Sequence, residues 1–82
     1  MVPLDRQFYI ALGILLRNER KKKNMSLQYV VDKLPKEYKI AKQTLSKYEK
    51  GQRRMSVEFF NALCNILELS PAEVLNSIKF YN

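Results

Sequence analysis

Eighty-two residues with 46% hydrophobic side chains make one domain with a real core, too short to hold a catalytic domain beside a regulatory one. Fifteen Lys and Arg stand against eight Asp and Glu, a net charge of +7, with no histidine and one cysteine. These counts withhold the residues of acid-base and metal chemistry, leave no internal disulfide, and favour a polyanionic partner.

No phosphate-binding glycine loop and no carboxylate cluster is present either, so neither an enzyme nor a cofactor is expected. The charge is uneven: residues 1–32 carry +3, residues 33–54 carry +6 and residues 55–82 carry −2. The positive field therefore belongs to the middle of the chain. The longest apolar run, Phe8 to Leu16, spans nine residues, against the ~18 needed for a membrane span. Its flanks lack signal-peptide features, and the expected location is the cytoplasm.

Start and stop signals predict five helices in chain order. The first runs from about Asp5, as N-cap, to the basic cluster Arg20 to Lys23, which suits a helix C-terminus. Lys21, Lys22 and Lys23 read as a solvated helix end. The second starts at Ser26 and stops at about Leu34, before Pro35. The third covers about Ala41 to Lys50. The fourth starts at Ser56 and carries Val57, Phe60, Leu63, Cys64 and Leu67 at helical spacing, with Cys64 as a small buried hydrophobe. The fifth opens at Ser70-Pro71-Ala72-Glu73, with Ser as N-cap, Pro at the first helical position and Glu closing a capping box. No alternating strand pattern competes, and the fold class is all-α.

The third helix carries the chemistry. At about 100° per residue, Lys42, Gln43, Ser46, Lys47 and Lys50 fall within roughly 140° of one another, while Leu45, Tyr48 and Glu49 lie opposite. Gly51 follows where a helix ends in a left-handed residue, and Gln52, Arg53 and Arg54 add a donor-rich loop. Such a face fits a major groove, where Lys donates to guanine and Gln pairs with adenine. A plain solvated helix face is the alternative on periodicity alone.

Order along the chain adds a resemblance. Leu12-Gly13 with Leu16 and Arg20, then Met25-Ser26, Val30-Val31 and Lys33-Leu34, then Thr44-Leu45-Ser46-Lys47-Tyr48-Glu49-Lys50-Gly51, then Leu63-Cys64, Leu67, Leu69-Ser70-Pro71 and Val74-Leu75, resemble the Cro and phage-repressor type of helix-turn-helix, the XRE-like regulators. The resemblance implies a five-helix, lambda-repressor-like domain over residues 1–82, with its helix-turn-helix at about 26–50. It also implies sequence-specific binding of double-stranded DNA, no enzymatic activity and a homodimer on a near-palindromic operator, as in a small repressor. By position, Lys42, Gln43 and Lys47 are implied as base readers with Ser46 at the groove floor, and Thr44 near the DNA backbone. Arg20 is implied to pair with Glu49, which accounts for a carboxylate in a cationic segment. Phosphate contacts are expected from the start of the second helix, Ser26 to Gln28, and from Lys50, Arg53 and Arg54.

The chain departs from the pattern in places. Leu27 stands where Gln is common, so a polar contact is lost unless Gln28 supplies it. The connection Pro35 to Ala41 is about four residues longer than the usual turn. Within it Ile40 is expected to plug the core, Tyr38 to brace the loop by packing, and Lys36 and Lys39 are candidates for extra DNA-backbone contacts. Ala41 replaces a Ser or Thr N-cap, which leaves open a helix start inside the insertion. Glu68 replaces a common Gly, a matter of capping.

The first helix is apolar nearly all round, so its second face needs cover from the C-terminal tail, with Ile78, Phe80 and Tyr81, or from a second subunit. Phe59 and Ile66 fall where the family tends to leave residues exposed. These residues are the candidates for a two-fold dimer interface. A protein-interaction module, such as an antitoxin or the partner of another regulator, is the competing function. The basic stripe argues against it. The cationic helix also has too small an apolar face for a membrane.

Overall fold

The computed structural model describes residues 4–78. Five α-helices follow one another: α1 at Leu4–Lys22, α2 at Leu27–Lys33, α3 at Lys42–Glu49, α4 at Val57–Leu67 and α5 at Pro71–Ser77, with a short 3-10 helix at Lys36–Tyr38. No strand occurs among the described residues, so the domain is all-α.

The helix starts are local events. Ser26, Ser56 and Ser70 each accept a hydrogen bond from the backbone N–H three residues on, at 3.0, 3.1 and 3.5 Å, which satisfies one of the orphan donors of a first turn. Two starts differ from expectation. Helix α1 begins at Leu4, so Asp5 lies inside its first turn. Helix α3 begins at Lys42 with Ala41 in the cap position and no side-chain cap. The insertion does not lengthen α3, because its residues are taken up in the separate 3-10 turn, after which Lys39 and Ala41 are extended.

Three helices end in the same left-handed motif. Asn24, Gly51 and Glu68 have φ of 58°, 72° and 58°. The next residue donates back to the helix in each case, Met25 N–H to Arg20 at 3.0 Å, Gln52 N–H to Lys47 at 3.0 Å and Leu69 N–H to Cys64 at 2.8 Å. These bonds satisfy carbonyls of the last turn. Gly51 is required twice over, since a Cβ there would stand 2.6 Å from the Ile10 Cα as well as at positive φ. The α3–α4 loop consequently lies directly on α1.

The core is built from Leu12 and Leu16 of α1, Val30 and Val31 of α2, Leu45 of α3, Phe60, Leu63, Cys64 and Leu67 of α4, and Val74 of α5. Cys64 is fully buried, and loss of water around the thiol pushes its pKa up to about 11, which keeps it a neutral hydrophobe. Among the described residues, part of α1 is covered by α3 and the loop after it. Gly13 faces the end of α3 so closely that a Cβ would lie 2.4 Å from the Glu49 carbonyl oxygen, and the Gly51 loop covers Ile10.

Two dimer candidates are corrected by the same packing. Phe59 is 5% exposed, its ring 4.7 Å from Tyr48 and 6.5 Å from Tyr38, and Ile78 is 7% exposed. Both are interior residues of the single chain. Ile66 is half-buried, and Phe80 and Tyr81 lie outside the described residues. The large apolar side chains left exposed include Val57 and Leu75, at the edge of an apolar groove that Phe8, Tyr9 and Phe60 also line.

Arg20 and Glu49 join α1 to α3. The Arg20 Nε donates to one Glu49 carboxylate oxygen at 2.7 Å and Nη2 donates to the other at 3.1 Å, while Nη1 donates to the Met25 carbonyl at 2.8 Å. Both side chains are 9% exposed. Glu49→Ala leaves a buried guanidinium without its counter-charge and is expected to cost about 3–5 kcal/mol. Gly13→Ala forces α1 off α3 and is expected to cost about 1–3 kcal/mol. Urea denaturation of each variant measures both.

Candidate nucleic-acid interface

Helix α3 divides as its periodicity requires. Leu45 and Glu49 are buried, while Lys42, Gln43, Lys47 and the cap residue Lys50 are exposed and Ser46 is half-buried. The helix lies across the start of α2, so the two enclose an open groove of about 610 Å³. Ser26, Leu27 and Gln28 form its α2 side; Lys42, Gln43, Ser46, Lys47 and Lys50, with Gln52 from the following loop, form the other.

No carboxylate lines this groove, and three lysines do. The only acid of α3 is Glu49, turned inward onto Arg20. The groove is therefore a cationic surface rich in amide and hydroxyl donors, shaped by two helices. It has the chemistry to meet phosphates and base edges together.

The remaining expected site residues take different places. Thr44 is half-buried and outside the groove lining. Arg53 sits with its guanidinium carbon 5.5 Å from the centre of the Tyr48 ring, a cation-π contact that directs it along the α3–α4 loop. Arg54 is exposed on the same loop. The Ser26 hydroxyl accepts from Tyr29 N–H, so it is both the cap of α2 and a groove residue. The Gln28 amide donates to the Asp32 carboxylate at 2.8 Å, one turn along α2, in an exposed pair beside the groove.

Two lysines of the basic middle have structural work instead. Lys39 Nζ donates to the carbonyls of Val31 and Asp32 at 2.9 and 2.8 Å, closing the end of α2. Lys23 Nζ donates to the Leu67 carbonyl at the end of α4, so the solvated reading holds for exposed Lys21 and Lys22 but not for Lys23. Lys36 remains exposed on the 3-10 turn, and Tyr38 packs edge-on to Phe59.

Sequence reasoning passed over two groove residues as site members, Leu27 and Gln52. The signal for Gln52 was Gly51: the left-handed turn bends the chain back, and Gln52 N–H caps Lys47. Leu27 is marked in the sequence only as a departure, an apolar residue where a polar contact is common.

Comparisons with known proteins agree with this arrangement. The family model described as a helix-turn-helix domain matches residues 11–76. The HTH-type transcriptional regulator AnsR of Bacillus subtilis (strain 168) is 43% identical over 60 residues, covering 73% of this chain and 48% of its own length. The chain thus spans about half the length of that relative. Two crystal structures of the clp gene regulator ClgR from Corynebacterium glutamicum superpose with TM-scores of 0.74 and 0.73 at 31% identity. They cover 90% and 92% of this chain, and 71% and 88% of the ClgR chains. With a family match over most of its residues, and α2 and α3 arranged around a shared groove, the chain belongs to the helix-turn-helix domain family.

Proposed function

We propose that this protein binds double-stranded DNA sequence-specifically, with α3 in the major groove, as a Cro- or repressor-like regulator on a near-palindromic operator. The observation that carries the reading is the carboxylate-free groove, in which Lys42, Gln43, Ser46 and Lys47 of α3 stand opposite the start of α2. Lys42, Gln43 and Lys47 are the base readers with Ser46 at the groove floor, and Ser26, Gln28, Thr44, Lys50, Arg53 and Arg54 serve the sugar-phosphate backbone. Glu49 is kept from repelling DNA by its pairing with Arg20.

Two copies act together in this reading. Two-fold operators call for half-sites about 34 Å apart, and one domain of this size reaches only one of them. The surface for the second copy is the apolar edge at Val57 and Leu75, where Val57 is 70% exposed. An exposed valine beside an apolar groove gains by burial against its own symmetry mate.

Gln43→Ala and Lys47→Ala are expected to cost roughly 1–3 kcal/mol on the preferred site and to relax its sequence preference. Arg53→Ala weakens all sites alike and lowers the salt slope by about 1. Site selection from random duplexes followed by titration at several salt concentrations separates the two classes; unchanged affinity and preference in Gln43→Ala would remove α3 as the reader. Sedimentation at micromolar concentration should give a dimer for the unaltered chain on its operator and a monomer for Val57→Glu. A monomer throughout, with and without operator, refutes the paired reading.

A further inference from the structure

One feature of the groove between α2 and α3 is left over by the contacts just assigned. Eight of its nine lining side chains are polar or cationic, and the ninth is Leu27. Leu27 is the first residue of α2. It packs against the core on one side and is only half-buried, so part of its side chain faces the groove.

An isobutyl group in that position neither attracts phosphate nor hydrogen-bonds a base. Left in water it is a wasted apolar surface, and buried against a polar base edge it costs that edge its hydration. The major groove offers one hydrocarbon group on its floor, the C5-methyl of thymine. Its polar neighbour Gln28 donates to Asp32 along α2 and is assigned above to the sugar-phosphate backbone, not to a base.

We infer that Leu27 is a specificity residue that packs against the C5-methyl of a thymine in each half-site, adding an apolar contact to the hydrogen bonds from α3. The inference rests on the DNA-binding reading above. It makes α2 a reader of sequence as well as a holder of phosphate, because Leu27 shares one groove with Lys42 and Gln43 of the first turn of α3.

Replacing each thymine of the selected operator in turn with deoxyuridine removes the methyl and keeps every hydrogen-bonding group. The unaltered protein is expected to lose about fourfold in affinity at one thymine per half-site, the value of one buried carbon. Leu27→Ala should bind thymine and uracil equally at that position while still favouring the operator over random DNA. Leu27→Gln, which keeps the stem and ends in an amide, is the second variant should Leu27→Ala fold poorly, and it should lose the distinction as well. The inference falls if no uracil substitution weakens binding, or if the weakening persists in these variants. Failure to select any preferred operator would instead overturn the DNA-binding reading itself.

Discussion

The bidentate pair between Arg20 and Glu49 is the contact on which the site depends. Its three hydrogen bonds tie the end of α1, the carbonyl of Met25 at the approach to α2, and the end of α3 into one unit. Two charges withdrawn from water are costly unless their geometry compensates, and here both carboxylate oxygens and three guanidinium nitrogens have partners. Gly13 makes the pairing possible by letting the backbone of α1 meet that of α3. The consequence reaches the surface: with its only acid turned inward, α3 shows the groove nothing but neutral donors and lysines.

The basic charge is divided between two tasks. Lys42, Lys47 and Lys50 line the groove, whereas Lys23 and Lys39 close helix ends by donating to last-turn carbonyls of α4 and α2. Last-turn carbonyls lack the full set of intrahelical donors, and the Val31 carbonyl takes the Lys39 ammonium in addition to Leu34 N–H. A count of positive charge along the chain therefore overstates the surface offered to a polyanion. The acidic excess of residues 55–82 belongs to α4 and α5, away from α3 in the sequence and outside the groove lining.

The added residues of the long connection between α2 and α3 are packed onto the domain rather than left as an open loop. Tyr38 lies edge-on to Phe59, Ile40 packs against the core, and Lys39 holds the end of α2. The loop is anchored at these points before α3 begins at Lys42. Phe59 is buried largely because this insertion and Tyr48 stack on it, which explains why a position that the family resemblance leaves exposed is interior here.

The sequence by itself determined what short-range chemistry controls. Serine caps at Ser26, Ser56 and Ser70 act within three residues, Gly51 ends α3 by its own backbone freedom, and the polar face of α3 follows from helical period. Only the tertiary structure decided the rest. Glu68 adopts a left-handed turn without glycine because Leu69 N–H closes the end of α4 and Leu69 packs on the core. Arg20 meets Glu49 across 29 residues, a pairing implied by the family resemblance and not by local pattern, and Lys23 meets Leu67 across 44, which neither names. Leu27 stands out in the chain only as a lost polar contact and lines the groove in the fold, because which side of a half-buried residue meets water depends on where α3 is held against α2.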